Sequence, residues 1–194
     1  MWAKRSFSTF PLGLGWLLAA MIAGLLTRAT HPRTLLLTGF IFGLAQWIVL
    51  FPVLCSRTWL AHALWLPATA VSGLVGYLLI ASVGVRVLGP VLITHTTPYE
   101  DVFSHLIFLT ILWAIIGLGQ WPLLRNLLSH AGRWIWISAL GGFTGALLDL
   151  ALQAAGVDMY RSLLAGMLAG AGYGAITGPA LARLQTTRFM TNDT

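Results

Sequence analysis

Long apolar stretches separated by short polar segments limit how this chain can fold. A helix needs about 20 predominantly apolar residues, rising 1.5 Å each, to cross the hydrocarbon core of a bilayer. Six stretches meet this requirement, near 11–27, 35–55, 59–83, 103–124, 134–157 and 160–182. The strand-type alternation of an outer-membrane barrel is not found in the sequence. The sequence therefore predicts an all-α integral membrane protein with six transmembrane helices.

The composition supports a single membrane domain over residues 1–194. Hydrophobic residues make up 58% of the chain and charged residues 8%, and the mean hydropathy is +0.84. Such a chain lacks the polar surface that a water-soluble domain needs. The net charge of +6 indicates membrane topology and contact with anionic lipid, and no binding of nucleic acid is expected.

The first apolar stretch has an alternative interpretation as a secretory signal peptide. Lys4 and Arg5 precede it, as in the charged region of such a peptide. Arg28 and the bulky residues around it make a poor cleavage site, which favours a span that is retained.

Repeated motifs predict three tandem helical hairpins. The pentamer GLAQW at 43–47 recurs as GLGQW at 117–121, which aligns Gln46, Gln120 and, in the last span, Tyr173. In each odd-numbered span a tryptophan precedes a glycine by eight residues; these tryptophans are Trp16, Trp65 and Trp134. Two-helix units all enter the membrane from one side, so a pseudo-threefold axis along the membrane normal is expected. The alternative is that these matches arise by chance, because membrane segments use few residue types and this chain is rich in Gly and Trp.

Glycines at helical spacing predict where the helices pack. The packing positions are Gly39, Gly43, Gly117, Gly142, Gly145, Gly166, Gly170, Gly174 and Gly178. Membrane helices associate through small residues that allow close approach. The last four glycines recur every fourth residue, so we expect this face to pack closely against another helix. Self-association or partner membrane subunits are the expected protein partners, with the lipid bilayer around them.

Four polar residues within the spans are candidates for an intramembrane site: Gln46, Gln120, Tyr173 and Asp149. A carboxamide cannot stay unpaired in hydrocarbon, so the glutamines either bond to each other and to neighbouring backbone or, with Tyr173, form a ring that contacts a substrate. Asp149 is either a proton or cation site, or a protonated or hydrogen-bonded structural group.

The longest connection, 84–102, and the start of the span that follows it carry weak metal candidates: His95, Glu100, Asp101 and His105. No zinc-hydrolase spacing is present, so helix capping and a solvated loop are the preferred interpretation, and we expect no metal. His62 and His105 are alternative ligands for a haem or chlorin, although no cofactor is expected. With one cysteine and no catalytic motif, the sequence predicts a non-enzymatic protein. The tryptophans near span ends, namely Trp16, Trp59, Trp65 and Trp134, are interpreted as interfacial anchors.

Basic residues predict the orientation. With a cytoplasmic N-terminus, seven lie inside: Lys4, Arg5, Arg57, Arg125, Arg133, Arg183 and Arg188. Four lie outside: Arg28, Arg33, Arg86 and Arg161. This bias favours a bacterial cytoplasmic membrane protein with both termini in the cytoplasm.

The two pentamers, the Trp-to-Gly spacing and the closing GAGYGAITGPALARL together resemble a loose group of uncharacterised bacterial multi-pass membrane proteins. That group has no established activity, so the resemblance implies a membrane fold and no mechanism. The first functional hypothesis is a structural or accessory subunit that packs through Gly-rich helix faces. The alternative is a small-molecule or ion transport component, similar in size and span number to the substrate-binding subunits of energy-coupling vitamin transporters. A membrane enzyme that uses the 84–102 loop is third.

Overall fold

The structure is entirely helical in the part of the chain that it describes. It is a computed structural model that describes residues 9–29, 35–54, 59–83, 98–125, 128, 130–157 and 163–190. The helices are α1 (Thr9–Ala29), α2 (Leu35–Leu54), α3 (Trp59–Val83), α4 (Pro98–Leu124), α5 (Arg133–Ala154) and α6 (Leu163–Met190). The all-α class is confirmed.

Three of the helices are long and apolar enough to cross a membrane: Trp59–Val83, Ser104–Leu124 and Arg133–Ala154. Shorter apolar segments occupy Leu12–Thr27 and Leu37–Phe51. α6 is not among these three helices, and its sequence is rich in glycine, which contributes little hydropathy. Helices suit an apolar environment because each satisfies its own backbone hydrogen bonds.

Several helix ends differ from the sequence-based boundaries: α1 is two residues longer at each end than the expected 11–27, and α6 continues to Met190 instead of ending near 182. α4 begins at Pro98, so residues 98–102 belong to a helix and not to the expected loop, while 84–97 lie outside the described residues. α5 ends at Ala154 and not at Val157. There Gly156 has a φ of +79°, and the amides of Gly156 and Val157 donate to the carbonyls of Gln153 and Leu152. This double hydrogen bond around a left-handed glycine is the Schellman motif, which terminates the helix.

The six helices follow one another around a closed ring. Each packs against the next in chain order, and α6 returns to pack against α1. The inward faces carry the glycines, most of the tryptophans and the polar residues, whereas the outward faces carry large apolar side chains such as Ile22, Ile48 and Leu78. Because lipid solvates apolar side chains, this inside-out distribution of polarity fits a bilayer environment.

The glycine face of α6 is covered by α1. A Cβ at Gly174 would lie 2.9 Å from the Cα of Leu17, and a Cβ at Gly178 would lie 2.8 Å from the carbonyl oxygen of Gly13. Further along, a Cβ at Gly24 would collide with the carbonyl oxygen of Gly166. The four-residue glycine repeat therefore joins the last helix to the first within one chain, and this face is not open to a second copy or another subunit.

The other packing glycines also lie at helix–helix contacts. A Cβ at Gly39 would lie 3.1 Å from the Cα of Gly73, and a Cβ at Gly145 would lie 2.9 Å from the carbonyl oxygen of Ala169. Gly142 lies directly against the indole of Trp113. Because glycine has no side chain, two helices can approach closely at each of these positions. The close approach brings the inward-facing polar groups within hydrogen-bonding distance.

Three tryptophans fill one end of the ring. Trp16, Trp65 and Trp134 have no exposed surface. The Trp16 ring centroid lies 6.3 Å from that of Trp65 and 5.8 Å from that of Trp134, both edge to face. The interpretation of these three as interfacial anchors is wrong, because one face of each odd helix turns toward the ring interior and the tryptophan lies on it. Trp59, in contrast, is 73% exposed.

Candidate functional site

The two glutamines of the repeated pentamers bond directly to each other in the core. Nε2 of Gln120 donates to Oε1 of Gln46 over 2.9 Å and to the hydroxyl of Thr69 over 3.0 Å. Oε1 of Gln120 accepts from Nε1 of Trp134 over 2.8 Å. Both side-chain atoms of Gln120 are thus engaged, and its carboxamide links α2, α3, α4 and α5.

The network continues to the last helix. Nε2 of Gln46 donates to the hydroxyl of Tyr173 over 3.4 Å. One turn further along α6, the hydroxyl of Thr177 accepts from Nε1 of Trp16 over 2.8 Å and donates to the carbonyl of Tyr173 over the same distance. Gln46, Gln120, Tyr173 and Thr177 are all fully buried or nearly so. All six helices therefore contribute to one buried layer of hydrogen-bonded side chains, which we call the core network.

Glycines one turn before each glutamine allow this approach. A Cβ at Gly43 would lie 3.0 Å from Cβ of Thr69, and a Cβ at Gly117 would lie 2.9 Å from Cβ of Ser138. In each pentamer the glycine thus allows a neighbouring helix to approach closely, and the glutamine one turn later hydrogen-bonds across the space between the helices. This local pairing explains why a glycine and a glutamine recur together in α2 and α4.

One donor in this layer has no partner. Nε1 of Trp65 is buried without a hydrogen-bond partner among the described residues, whereas the corresponding atoms of Trp16 and Trp134 are both bonded. Oε1 of Gln46, on the neighbouring α2, accepts instead from Gln120. An indole N–H left unpaired in an apolar core is energetically unfavourable, so this position is the weakest point of the core network.

Asp149 lies apart from the core network, near the opposite end of the ring. Oδ2 of Asp149 lies 3.6 Å from Nε2 of His105, which links α5 to α4. The Asp149 side chain is 7% exposed and that of His105 is 34% exposed. Trp134 lies fifteen residues before Asp149 on α5, which corresponds to about 22 Å along the helix axis. The four polar candidates thus divide into the core network and a separate His105–Asp149 pair.

The position of Asp149 reduces the cost of its charge. α5 ends at Ala154, five residues further on, so the carboxylate lies about 8 Å from the helix end. The penalty for a membrane carboxylate falls as it approaches the interface, and an adjacent imidazole compensates the charge when that ring is protonated. The pair therefore lies within about 8 Å of the C-terminal end of α5.

The metal candidates do not form a site in the described part of the chain. No group of three or more His, Cys, Asp and Glu residues is close enough there to hold a metal ion. Of the four candidates, His105 faces Asp149, His95 lies outside the described residues, and Glu100 and Asp101 lie in the first turn of α4, where their side chains are not described. His62 is buried near the start of α3, its ring stacked on that of Trp47 at 4.6 Å.

Several members of these sites are not among the candidates predicted from the sequence. Thr69 and Thr177 are fully buried acceptors in the core network, and Trp16 and Trp134 are its donors. Helical spacing does indicate the two threonines. Thr69 follows Trp65 by four residues and Thr177 follows Tyr173 by four, which places each threonine on the same helix face as the aromatic residue. The contact between His105 and Asp149 had no such signal, because it joins two helices.

Comparisons with protein-family models, with curated proteins and with solved structures found no match to this chain. The assignment of function therefore depends on the geometry of the core network and of the His105–Asp149 pair.

Proposed function

We propose that this chain is a non-enzymatic, six-span membrane protein that serves as a structural or accessory subunit of a membrane assembly. Its six helices form three tandem hairpins around a pseudo-threefold axis. In this proposal the glycine-rich faces build the ring itself, and the rigid ring presents its outer surface to lipid and to partner subunits.

The threefold arrangement is supported by residues that the repeat aligns. Trp16, Trp65 and Trp134 occupy equivalent positions in the odd helices and meet in one cluster. In the even helices, Gln120 and Tyr173 both bond to Gln46, their common aligned position. The meeting of these aligned residues in space favours the repeat over a chance recurrence of Gly and Trp.

The observation that carries the structural role is that other members of the core network engage both glutamine carboxamides. Gln120 uses both side-chain atoms on protein partners, and Gln46 uses both on Gln120 and Tyr173. A polar site that binds a substrate needs donors or acceptors free to reach the ligand. Here these groups instead hold six helices in one arrangement, which is the property required of a scaffold.

Partner subunits can pack against the outer surface of the ring, because the inner faces already pack against one another. Large apolar residues project from several helices, among them Phe40, Ile48, Val71 and Leu140. Lipid covers such surfaces in a free protein, and partner helices replace lipid in an assembly through shape-matched packing. We place the ring in a bacterial cytoplasmic membrane with both termini in the cytoplasm, as the distribution of basic residues favours.

Native mass spectrometry of the protein, extracted gently from its own membrane, tests this proposal. The measurement records the stoichiometry of the complex and each small molecule retained. We expect reproducible protein partners at fixed stoichiometry. A lone chain that carries one small molecule per copy would overturn the structural role, and fusions of a reporter to each terminus check the orientation independently.

A second candidate function, a small-molecule or ion transport component, is favoured by the His105–Asp149 pair alone. A buried carboxylate beside a partly exposed imidazole is a common arrangement in proton and cation pathways. If the retained small molecule in the same measurement is lost from Asp149→Asn but kept by Gln120→Leu, the binding site lies at this pair and the transport role is supported. Loss from both variants indicates a general defect in folding.

A further inference from the structure

The hydrogen bonds of the core network run in one direction. An indole N–H can only donate, so Trp134 fixes the side-chain oxygen of Gln120 as an acceptor. The amide nitrogen of Gln120 then donates to the oxygen of Gln46, and the amide nitrogen of Gln46 donates to the hydroxyl of Tyr173. Turning over either carboxamide alone would place two donors face to face. A second arrangement of the network therefore requires a change of acceptor and not a reversal.

Trp65 departs from the pattern of the other two tryptophans in its cluster. Trp134 donates to Gln120 on α4, the helix that precedes its own, and Trp16 likewise bonds to α6, which precedes α1 in the ring. The helix that precedes α3 is α2, where Gln46 occupies the position aligned with Gln120. Nε1 of Trp65 nevertheless has no hydrogen-bond partner in the described part of the chain. Gln46 is thus the acceptor that the repeat assigns to Trp65.

The contacts between α2 and α3 place Gln46 beside Trp65. One turn before this glutamine, the glycine of the pentamer packs against Thr69. One residue after it, Nε1 of Trp47 donates to the carbonyl of His62 over 2.9 Å. Because the two helices run in opposite directions, the part of α3 opposite Gln46 lies between His62 and Thr69, which is where Trp65 is found.

Moving the oxygen of Gln46 from Gln120 to Trp65 changes the number of hydrogen bonds little. Nε2 of Gln120 keeps the hydroxyl of Thr69 as an acceptor, at 3.0 Å. The bond from Gln46 to Tyr173, which would be given up, is the longest in the core network, at 3.4 Å. In return the indole N–H of Trp65, whose burial without an acceptor is unfavourable, becomes hydrogen-bonded.

We infer that the core network has a second, less populated arrangement, in which Gln46 leaves Gln120 and Tyr173 and accepts a hydrogen bond from Trp65. The inference rests on the proposed threefold repeat, because the equivalent residues of α4 and α5 already form this bond. The exchange moves a hydrogen bond of α2 from the last helix to the third, so it determines whether the network joins α6 to α2. A partner subunit that displaces α6 would shift the balance between the two arrangements, because a ligand favours the state that it binds more tightly.

NMR spectroscopy of the full-length protein in detergent micelles, with tryptophan labelled at the indole nitrogen, tests this inference. Trp65→Phe identifies the Trp65 signal by its disappearance. We expect relaxation dispersion to show microsecond-to-millisecond exchange of this indole with a minor, hydrogen-bonded state. The Trp16 indole is the internal reference and should show no exchange, because its bond to Thr177 is the same in both arrangements.

Tyr173→Phe tests the direction of the exchange. The variant removes the acceptor of the Gln46 amide and keeps the aromatic ring. We expect the ratio of the second arrangement to the first to rise by about threefold to twentyfold, which moves the mean Trp65 signal toward its hydrogen-bonded position. Thr177→Val is the matched control, because it removes the other α6 hydroxyl of the core network without removing a partner of Gln46. It should leave the Trp65 signal in place.

Three outcomes overturn the inference. In the first, the Trp65 indole shows neither exchange in the wild type nor a shift in Tyr173→Phe. In the second, exchange persists in Gln46→Leu, which would identify the acceptor as another group, such as a buried water. In the third, Tyr173→Phe and Thr177→Val move the signal equally.

The inference stays testable if Tyr173→Phe does not fold, because exchange in the wild type that is lost in Gln46→Leu gives the same answer. Its failure is also distinct from a failure of the proposed function. A chain without protein partners in native mass spectrometry refutes the structural role and leaves the exchange of Gln46 unaffected, whereas a Trp65 signal without exchange refutes the second arrangement alone.

Discussion

The indole nitrogen of Trp134 donates a 2.8 Å hydrogen bond to the side-chain oxygen of Gln120, and neither residue has exposed surface. Trp65 occupies the aligned position in α3, and its indole nitrogen is buried without a partner in the described structure. The indole N–H at this aligned position is therefore hydrogen-bonded in α5 and unpaired in α3.

This contrast predicts different costs for the same substitution. Trp134→Phe leaves Oε1 of Gln120 without its donor in an apolar layer, and we expect the free energy of unfolding to fall by about 1–2 kcal/mol from the lost hydrogen bond. Trp65→Phe removes a donor that bonds to nothing, so only the cost of the smaller ring should remain. Unfolding of both variants by a denaturing detergent in mixed micelles gives the comparison. Equal losses would refute the assignment of Trp65 as the unpaired member.

The bond between the two glutamines predicts non-additive substitutions. Gln46→Leu leaves Nε2 of Gln120 with one acceptor fewer, and Gln120→Leu leaves Oε1 of Gln46 without its donor. The double variant removes both groups, so its cost should be smaller than the sum of the single costs by about 0.6–1.7 kcal/mol. A double-mutant cycle on the free energy of unfolding measures this coupling. Strict additivity would mean that the two carboxamides do not interact.

Much of the helical architecture was predictable because hydropathy and spacing act locally. Apolar stretches gave the positions of the helices, and the four-residue spacing of glycines and polar residues gave their inward faces. Gln46, Gln120 and Tyr173 share a buried face with their packing glycines, as the spacing indicated. What spacing cannot provide is the identity of the opposing helix, and so the contact of the α6 glycines with α1 was not anticipated.

The tryptophans illustrate a second limit. A tryptophan near a helix end suits both an interfacial belt and a buried cluster, because its ring is apolar and its N–H needs an acceptor. Only the orientation of the helix decides between them. Trp16 and Trp134 found acceptors on neighbouring helices and are buried, whereas Trp136, two residues after Trp134, points outward.

The α1–α6 contact predicts that even a small side chain on the glycine face is destabilising. Gly174→Ala places a Cβ 2.9 Å from the Cα of Leu17, which forces the two backbones apart, and we expect a loss of about 1–3 kcal/mol in the free energy of unfolding. Gly132→Ala is the matched control, because it has helical dihedral angles and no heavy atom within 4 Å of an added Cβ. A cost for the control as large as that for Gly174→Ala would contradict this packing.

The end of α5 predicts a cost of a different origin. Gly156 has open space around an added Cβ but a φ of +79°, so Gly156→Ala introduces backbone strain without a clash. Left-handed backbone costs an L-residue about 1–2 kcal/mol, and the free energy of unfolding should fall by this amount. Gly156→Asn should lose less, because asparagine tolerates this conformation better than alanine. Identical values for the two variants would indicate that the helix ends without the left-handed turn.

The His105–Asp149 pair predicts a modest coupling between α4 and α5. The atoms Nε2 and Oδ2 lie 3.6 Å apart and the imidazole is one-third exposed, so solvent screens part of their attraction. We expect His105→Asn and Asp149→Asn to couple by about 0.5–1 kcal/mol in a double-mutant cycle of unfolding. His62→Asn serves as the control histidine, since His62 lies near the opposite end of the ring and should show no coupling to Asp149. If the coupling between His105 and Asp149 is as small as that between His62 and Asp149, the pair does not hold α4 and α5 together. The short distance between the two side chains then results from a bound ligand or from packing alone.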